Sequence, residues 1–324
     1  MAQNGPRIVS FAEVEAVIAS LPPDVVIDAM AAGFASFSRG EVSVPSPQTL
    51  GQPPLANFVG HPSAQACIKS AYQHGGEVFV TKVASGGDGL NSGIVLVFSQ
   101  RTYQPRAILL DDGLLTELRT AAAGALAARL FAPLNVKMIG VVGVGVQARW
   151  QLRLLETVTP CRRVRAWARS ITKARAFAEE MRARGWAVEA VSDVEAACSS
   201  ADLLLTVTSA REPLVRAEWL TGRPVLVTAI GADAPGKQEL EPSLVAAADL
   251  LVADSRAQCL ERGELQHAIA AGLVTSESVV EIGECVISRC ERRGLVVFDS
   301  TGVAIQDVKI AELAMGTLSS SSRL

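Results

Sequence analysis

Apolar residues recur at helical spacing over residues 10–38, through Val14, Val17, Ile18, Val25, Ile27 and Phe34, and Ser10 is placed to cap that helix. VSVPSPQTLGQPP then breaks the period and predicts an extended or looped stretch. Four strand-like runs follow, ACIKSAY, EVFVTKVAS, GIVLVFS and RAILLDD, separated by turns that contain glycine. They predict a small, largely antiparallel or mixed sheet. From Thr116 the helical period returns: TELRTAAAGALAARLFAP has a Thr cap, an acid in the first turn, an alanine-rich body and a Pro stop. Strands and helices then alternate: VKMIGVVG, a helix from Gln147, RVRAWAR, a helix over 171–184, AVEAV, a helix near 193–200, DLLLTVT, PVLVTAIG and DLLVAD. Such alternation predicts parallel βαβ units with both sheet faces covered. GLVVFDSTGVAIQDVKIAELAM adds one more strand, a turn and a closing helix.

Two domains are expected from this pattern. A doubly wound α/β domain spans 117–298, and a smaller α+β domain is assembled from both chain ends, 1–116 and 299–324. The length of 324 residues and the 49% hydrophobic content allow two cores. A net charge of −3 argues against binding a phosphate backbone, so no nucleic-acid partner is expected. The opening MAQNGPRIVSF lacks the basic-then-apolar pattern of a secretory signal. No apolar run reaches the roughly 18 residues of a membrane span without a charge or turn residue. A soluble cytoplasmic chain is the expectation, without a membrane partner, and its six cysteines are expected to be reduced and mostly buried. His61, His74 and His267 are scattered without ligand spacing, and no metal site is expected.

VVGVGVQARW, at 141–150, changes the picture from fold to chemistry. In a dinucleotide turn, Gly143 allows the tight bend, Gly145 lets the backbone approach a pyrophosphate, and Ala148 takes the third small position. The helix opening at Val146 and Gln147 would aim its N-terminus at the phosphates. The alternative is a glycine turn that only packs helix on strand. At the end of the next strand an acid would bond the ribose hydroxyls of NAD. Ala168 stands there instead, followed by Arg169, Ser170 and Lys173. Those residues favour NADP(H) by suiting a 2′-phosphate, with NAD(H) the alternative, unless they are ordinary solvated residues of a helix start. Lys82 sits in an apolar strand, where an ammonium is costly to bury alone. Arg119 is a long cation on a helix of small residues, and Asp233 follows PVLVTAIGA at the carboxyl end of a strand, where ligands collect in open α/β sheets. Structural alternatives stand beside each: a snorkelling lysine, a surface arginine, an Asx turn cap.

Lys82, LRTAAAGALAA, VGVGVQA, AIGADAPGKQEL and FDSTG, in this order, resemble the ornithine cyclodeaminase/mu-crystallin family over nearly the whole chain. The resemblance implies a Rossmann-type cofactor domain, a substrate-binding and dimerisation domain, a homodimer, and chemistry linking a small amino acid to its imine through nicotinamide. It implies that Lys82 contacts the substrate and moves a proton, that Arg119 binds the substrate carboxylate, and that Asp233 handles protons at the amine or imine. It also implies cofactor contacts at Thr120 for phosphate, at Thr206 and Thr208 for ribose, and at Ser300, with Thr301 and Gly302, near the nicotinamide ring. Many members carry a second arginine after a proline in the first domain, and VPSPQTLG has none. The function expected is an NAD(P)H-dependent imino-acid or ketimine reductase, or the reverse amino acid dehydrogenase. The alternatives are an ornithine-type cyclodeaminase that recycles NAD, and a crystallin-like NADPH-binding protein without catalysis. The absence of an acid in VRAWARS leans towards the reductase, since family cyclodeaminases use NAD.

Overall fold

The structure, a computed structural model, describes residues 5–51, 65–87, 90–220, 222–292 and 294–321. It divides into two compact units, 1–119 with 303–324, and 120–302. Residues 52–64, which include His61 and the last three residues of the expected looped stretch, lie outside the described residues.

The first unit opens with strand β1 (Arg7–Val9), helix α1 (Phe11–Ser20) and helix α2 (Pro23–Ser38). The single helix expected over 10–38 is therefore two. Pro22 and Pro23 cannot continue α1, and Pro23 instead starts α2 at the position where its missing N–H costs nothing. Ser10 does cap α1, in a reciprocal capping box with Glu13. Two short strands, β2 (Val42–Ser43) and β3 (Gln48–Leu50), precede the long hairpins β4 (Gln65–Gln73), β5 (Val78–Gly87), β6 (Leu90–Ser99) and β7 (Pro105–Leu110). β4 to β7 pair antiparallel, while β1 adds to β7 in parallel, so the sheet is mixed. Helix α3 (Leu114–Phe131) leaves this unit at Arg119. It starts two residues before Thr116, and its N-terminal capping side chain is Asp111, whose Oδ2 accepts from Leu115 N at 3.1 Å. Asp and Thr both cap well, and the bend through Asp112 (φ +45°) and Gly113 (φ +85°) decides between them.

In the second unit eight strands form one all-parallel sheet. After β8 (Ile139–Val142) and helix α4 (Val146–Leu155), the chain steps outward through β9 (Arg163–Trp167), α5 (Ile171–Ala183) and β10 (Ala187–Val191). Helix α6 (Val194–Cys198) then returns it to β11 (Leu203–Thr206), on the other side of β8. That reversal is a topological switch point, and crevices outside the strand carboxyl ends at such points bind ligands. The rest of the sheet continues through β13 (Val225–Ala229), β15 (Leu250–Ala253), β16 (Val279–Glu281) and β17 (Leu295–Asp299), interrupted by a parallel pair not foreseen from periodicity, β12 (Arg211–Val215) with β14 (Gln238–Leu240). The central strands β8, β11, β13 and β17 are buried at every position, because both faces of a parallel sheet are covered there. Short helices α7 (Pro242–Ala246), α8 (Arg256–Arg262), α9 (Leu265–Ala270) and α10 (Ile282–Ser288) fill the remaining connections. Across the end of α10 the expectation of reduced cysteines is overturned: Cys285, within the helix, and Cys290, beyond it, are joined in a disulfide. Cys161, Cys198 and Cys259 are buried thiols, and Cys67 is half-buried.

The chain then returns to the first unit as helix α11 (Ile305–Ser321), which packs against α2, β4 and β5. Among the described residues no single helix is long and apolar enough to cross a membrane.

Candidate functional site

Each unit carries its own constellation. In the first unit, Lys82 in the middle of β5 is 3% exposed, and directly across the ladder in β4 stands a second buried lysine, Lys69. Two ammoniums opposite each other on one sheet face repel, and burial raises the cost of both charges. The counter-charge comes from α11. Lys82 Nζ donates to Asp307 Oδ1 at 3.0 Å, across 225 positions of sequence, and Arg119 Nε lies 3.3 Å from the same oxygen as an ion pair. Gln306, one residue before Asp307, fastens Arg119 from both ends: its Oε1 accepts from Arg119 Nη1 at 3.3 Å, and its Nε2 donates to the Arg119 carbonyl at 3.2 Å. Lys82, Arg119, Asp307 and Gln306 are all buried.

The electrostatics follow from that crowding. Burial pushes the Lys82 ammonium down, the Asp307 carboxylate pulls it back, and Arg119 and Lys69 push it down again, leaving it at about 8. Burial also pushes the Asp307 carboxyl up, but Lys82, Arg119 and Lys69 outweigh it and hold the group below its ordinary value. Asp111, whose carboxylate caps α3, is raised by burial despite the amides of Leu115 and Gly113. The cluster thus holds one anion bonded to two cations, with a third cation beside them. An amine that sheds its proton near neutral pH is a group suited to general acid–base work.

In the second unit the chemistry lies in backbone. Gly143 has φ +102°, and a Cβ there would meet Thr208 Cγ2 at 2.8 Å and the Val207 carbonyl at 2.9 Å. Only glycine fits. Gly145 is different: it is the N-cap of α4, makes no side-chain cap, and a Cβ on it would meet nothing within 4 Å. Open space over uncapped first-turn amides is the shape a pyrophosphate needs, so the residues fit a dinucleotide. Arg149 holds this turn from behind, donating from Nη1 to the carbonyls of Val144 at 2.7 Å and Gly145 at 2.9 Å. Its guanidinium in turn stacks over Phe177 and pairs with Glu180. Gln151 links Gln147 to the Thr120 carbonyl, and Gly124 is small because Gln151 packs against it. Val146 is exposed beside Gly145.

The remaining expected residues surround the carboxyl ends of the strands. Ala168 follows β9 with no acid, Arg169 and Lys173 are exposed, and the Ser170 hydroxyl accepts from Lys173 N as the cap of α5. Thr206 ends β11 and is buried, and Thr208 N donates to Glu239 Oε1. Ser300 is buried as well, its hydroxyl donating to Asp254 Oδ2 at 2.9 Å, an atom that also accepts from Gly302 N at 2.6 Å. Asp233 is half-exposed and pairs with Lys237 Nζ at 2.5 Å. Lys82 and Arg119 are thus brought together around Asp307, whereas Lys82 and Asp233 are carried by different units. The structure adds residues that the sequence pattern does not single out: Lys69, Asp307 and Gln306, and the carboxylates Asp254 and Glu239. Lys69 had a signal, since it is a lysine inside the apolar run ACIKSAY just as Lys82 is inside EVFVTKVAS.

Comparison with known proteins places the chain in a family. The profile of the ornithine cyclodeaminase/mu-crystallin family matches residues 10–322. A Sinorhizobium fredii protein named as an uncharacterized cyclodeaminase is 37% identical over 282 residues, covering 83% of this chain and 85% of that protein. Iminosuccinate reductase of Paracoccus denitrificans is 32% identical over 304 residues, covering 90% of this chain and 91% of the reductase. The crystal structure of that reductase in complex with NAD+ superposes with a TM-score of 0.86 at 28% identity, covering 98% of each chain.

Proposed function

The chain belongs to the ornithine cyclodeaminase/mu-crystallin family, and from that premise we propose that it is an NAD(P)H-dependent oxidoreductase acting on the C–N bond of small imino and amino acids. The observation that carries this reading is the buried Lys82–Asp307–Arg119 cluster. A guanidinium and an ammonium kept dry are the groups that recognise a carboxylate and protonate an adjoining nitrogen. Gly143, Gly145 and the α4 amides would hold the pyrophosphate of a reduced nicotinamide cofactor, which would supply the hydride. Thr120, Thr206, Thr208 and Ser300 are its proposed contacts. Arg119 orients the substrate through its carboxylate, Lys82 gives a proton to the imine nitrogen, and Asp233 assists proton traffic from its own unit. NADP(H) is the proposed preference over NAD(H), because Ala168 offers no carboxylate to a ribose diol while Arg169, Ser170 and Lys173 offer a 2′-phosphate two charges and a hydroxyl.

The protein is proposed to work as a homodimer through the first unit's sheet. Ile68, Val83, Ile94 and Leu110 stand in register across β4 to β7, and Thr81, Leu96, Ile108 and Ile8 form the next row. All are half-buried or exposed in the single chain, Ile8 to 65%. A contiguous apolar sheet face of this kind marks a protein interface, and a second copy offers the same face in return.

The test is absorbance at the reduced-nicotinamide band with NADPH and, separately, NADH on small imino acids. NADPH loss that outpaces NADH loss supports the reading. A second reading, cyclodeaminase, is favoured by the Sinorhizobium relative's name. Ammonia release from ornithine or lysine with catalytic NAD, and no net oxidation with any imine, would establish that one instead.

A further inference from the structure

Lys82 has a difficulty that its assigned task makes acute. Reducing a C=N bond places one proton on nitrogen, and Lys82 can supply it only while it is an ammonium. Its surroundings work against that charge. Across the ladder in β4 it faces Lys69, from α3 it faces Arg119, and its partner in β6 is Val95, which offers nothing. Asp111, at the end of β7, is near enough to feel Lys82, but its carboxylate is engaged by the α3 amides. Among the described residues one anion is bonded to Lys82, and it comes from α11: Asp307, 2% exposed, at 3.0 Å.

We propose that Asp307 is a positioning residue of the active site, which keeps the buried Lys82 ammonium charged and aimed so that it serves as the proton donor to the substrate nitrogen. The placement suits the role. Burial pushes the Asp307 carboxyl up, but Lys82, Arg119 and Lys69 outweigh it and keep it ionised, and its place in the first turn of α11 suits an anion. The adjoining Gln306 grips Arg119 at its guanidinium and its carbonyl. A single helical turn therefore sets both the proton donor and the proposed carboxylate anchor. Oδ1 serves both cations at once, so whichever of them swings away gives up its bonded counter-charge. After each turnover the neutral lysine beside this carboxylate recovers its proton from solvent.

This inference rests on the reductase reading for its meaning, and its test separates the two. The pH dependence of kcat/KM for imine reduction is measured on the wild type, Asp307→Asn and Asp307→Glu. Wild-type activity is expected to fall as pH rises through about 8. In Asp307→Asn the same limb moves about 1–3 pH units lower, the range by which an adjacent opposite charge shifts an ionisation, and activity recovers on the acid side. Asp307→Glu keeps the limb near its wild-type position even where kcat drops. The second readout needs no activity: NMR titration of isotope-labelled lysine side chains, with the Lys82 signal identified by its absence in Lys82→Met. Its midpoint falls by the same amount in Asp307→Asn and in the smaller Asp307→Ser, which serves if the Asn protein does not fold. An unmoved Lys82 midpoint in a folded Asn or Ser variant overturns the proposal, as does a loss of rate equal at every pH. A wild type inactive on every imine, with the Lys82 midpoint still shifted by the variant, overturns the reductase reading and leaves the role of Asp307 standing.

Discussion

The two units build their sites from opposite materials. In the first, chemistry comes from side chains that are charged, buried and mutually dependent: Lys82 and Arg119 share one oxygen of Asp307. In the second, the central feature is the absence of side chains, since Gly143 admits no Cβ and Gly145 leaves open space over a helix end. The first kind of site fails when a partner is removed, and the second when an atom is added. Substitutions that delete atoms should therefore act strongly in one unit, and substitutions that add them in the other.

The largest effect is expected at Lys82. Lys82→Ala removes a general acid, and such groups contribute typically about 10²–10⁴-fold in rate. Steady-state kcat on an imino acid checks it, and a loss below about tenfold would return Lys82 to a structural role. The deletion also leaves Asp307 with Arg119 as its remaining bonded cation, so some destabilisation accompanies it.

Next comes pH. The Lys82 group, lowered by burial to about 8, is an ammonium below that value and an amine above it. Reduction, which consumes its proton, loses about tenfold per pH unit above the midpoint, while the reverse oxidation of an amino acid gains about tenfold per unit as pH rises towards the midpoint and levels off above it. The sign for stability is distinct. The folded value lies below the ordinary 10.5, so the cost of the buried charge is fully present below about 8 and is relieved as pH rises towards 10.5. Rate and stability should thus move in opposite directions above pH 8, which parallel kinetic and thermal-melt profiles will show.

How much of this was legible in the sequence differs between the units for the same physical reason. A glycine turn between an apolar strand and a helix is local, so VGVGVQA announces its own geometry, and the period of strands and helices around it follows from burial on both faces of a parallel sheet. The cation site is not local. Lys82 meets Asp307 across 225 positions, and within IQDVKIAEL that aspartate is indistinguishable from any acid of a helix's first turn. Lys69 was missed because one lysine in a strand is ordinary and only the register of β4 on β5 makes it the neighbour of another. Apolar spacing continues across Pro22 and Pro23 and so hides the break between α1 and α2, and Thr116 competes with Asp111 as the cap of α3 because both residue types cap well. The disulfide joins two cysteines whose spacing has no particular signature.

In the glycine half, Gly143→Ala and Gly145→Ala make a matched pair. The first forces a Cβ against Val207 backbone at a positive φ, a strain of order 1–3 kcal/mol, and lowers thermal stability with or without cofactor. The second meets no protein atom, so it leaves the melt of the apo protein unchanged within about 1 °C while raising the KM for the dinucleotide severalfold. Equal melting losses for the two would mean that the turn only packs helix on strand.

The smallest effect expected, and the most informative about cofactor choice, is at the end of β9. Arg169 is exposed, so each of its contacts to a phosphate is screened, and Arg169→Ala should cost NADPH about tenfold in kcat/KM, equivalent to about 1.4 kcal/mol, with NADH nearly unaffected. Ala168→Asp approaches the question from the other side. It places a carboxylate where a ribose diol would be bonded and where a 2′-phosphate would be repelled, so the NADPH-to-NADH ratio should fall further than in Arg169→Ala. If both variants change the two cofactors equally, Arg169 and Lys173 are solvated helix-start residues. The lack of an acid at Ala168 would then carry no preference, and the cyclodeaminase reading, which calls for NAD, would gain in proportion.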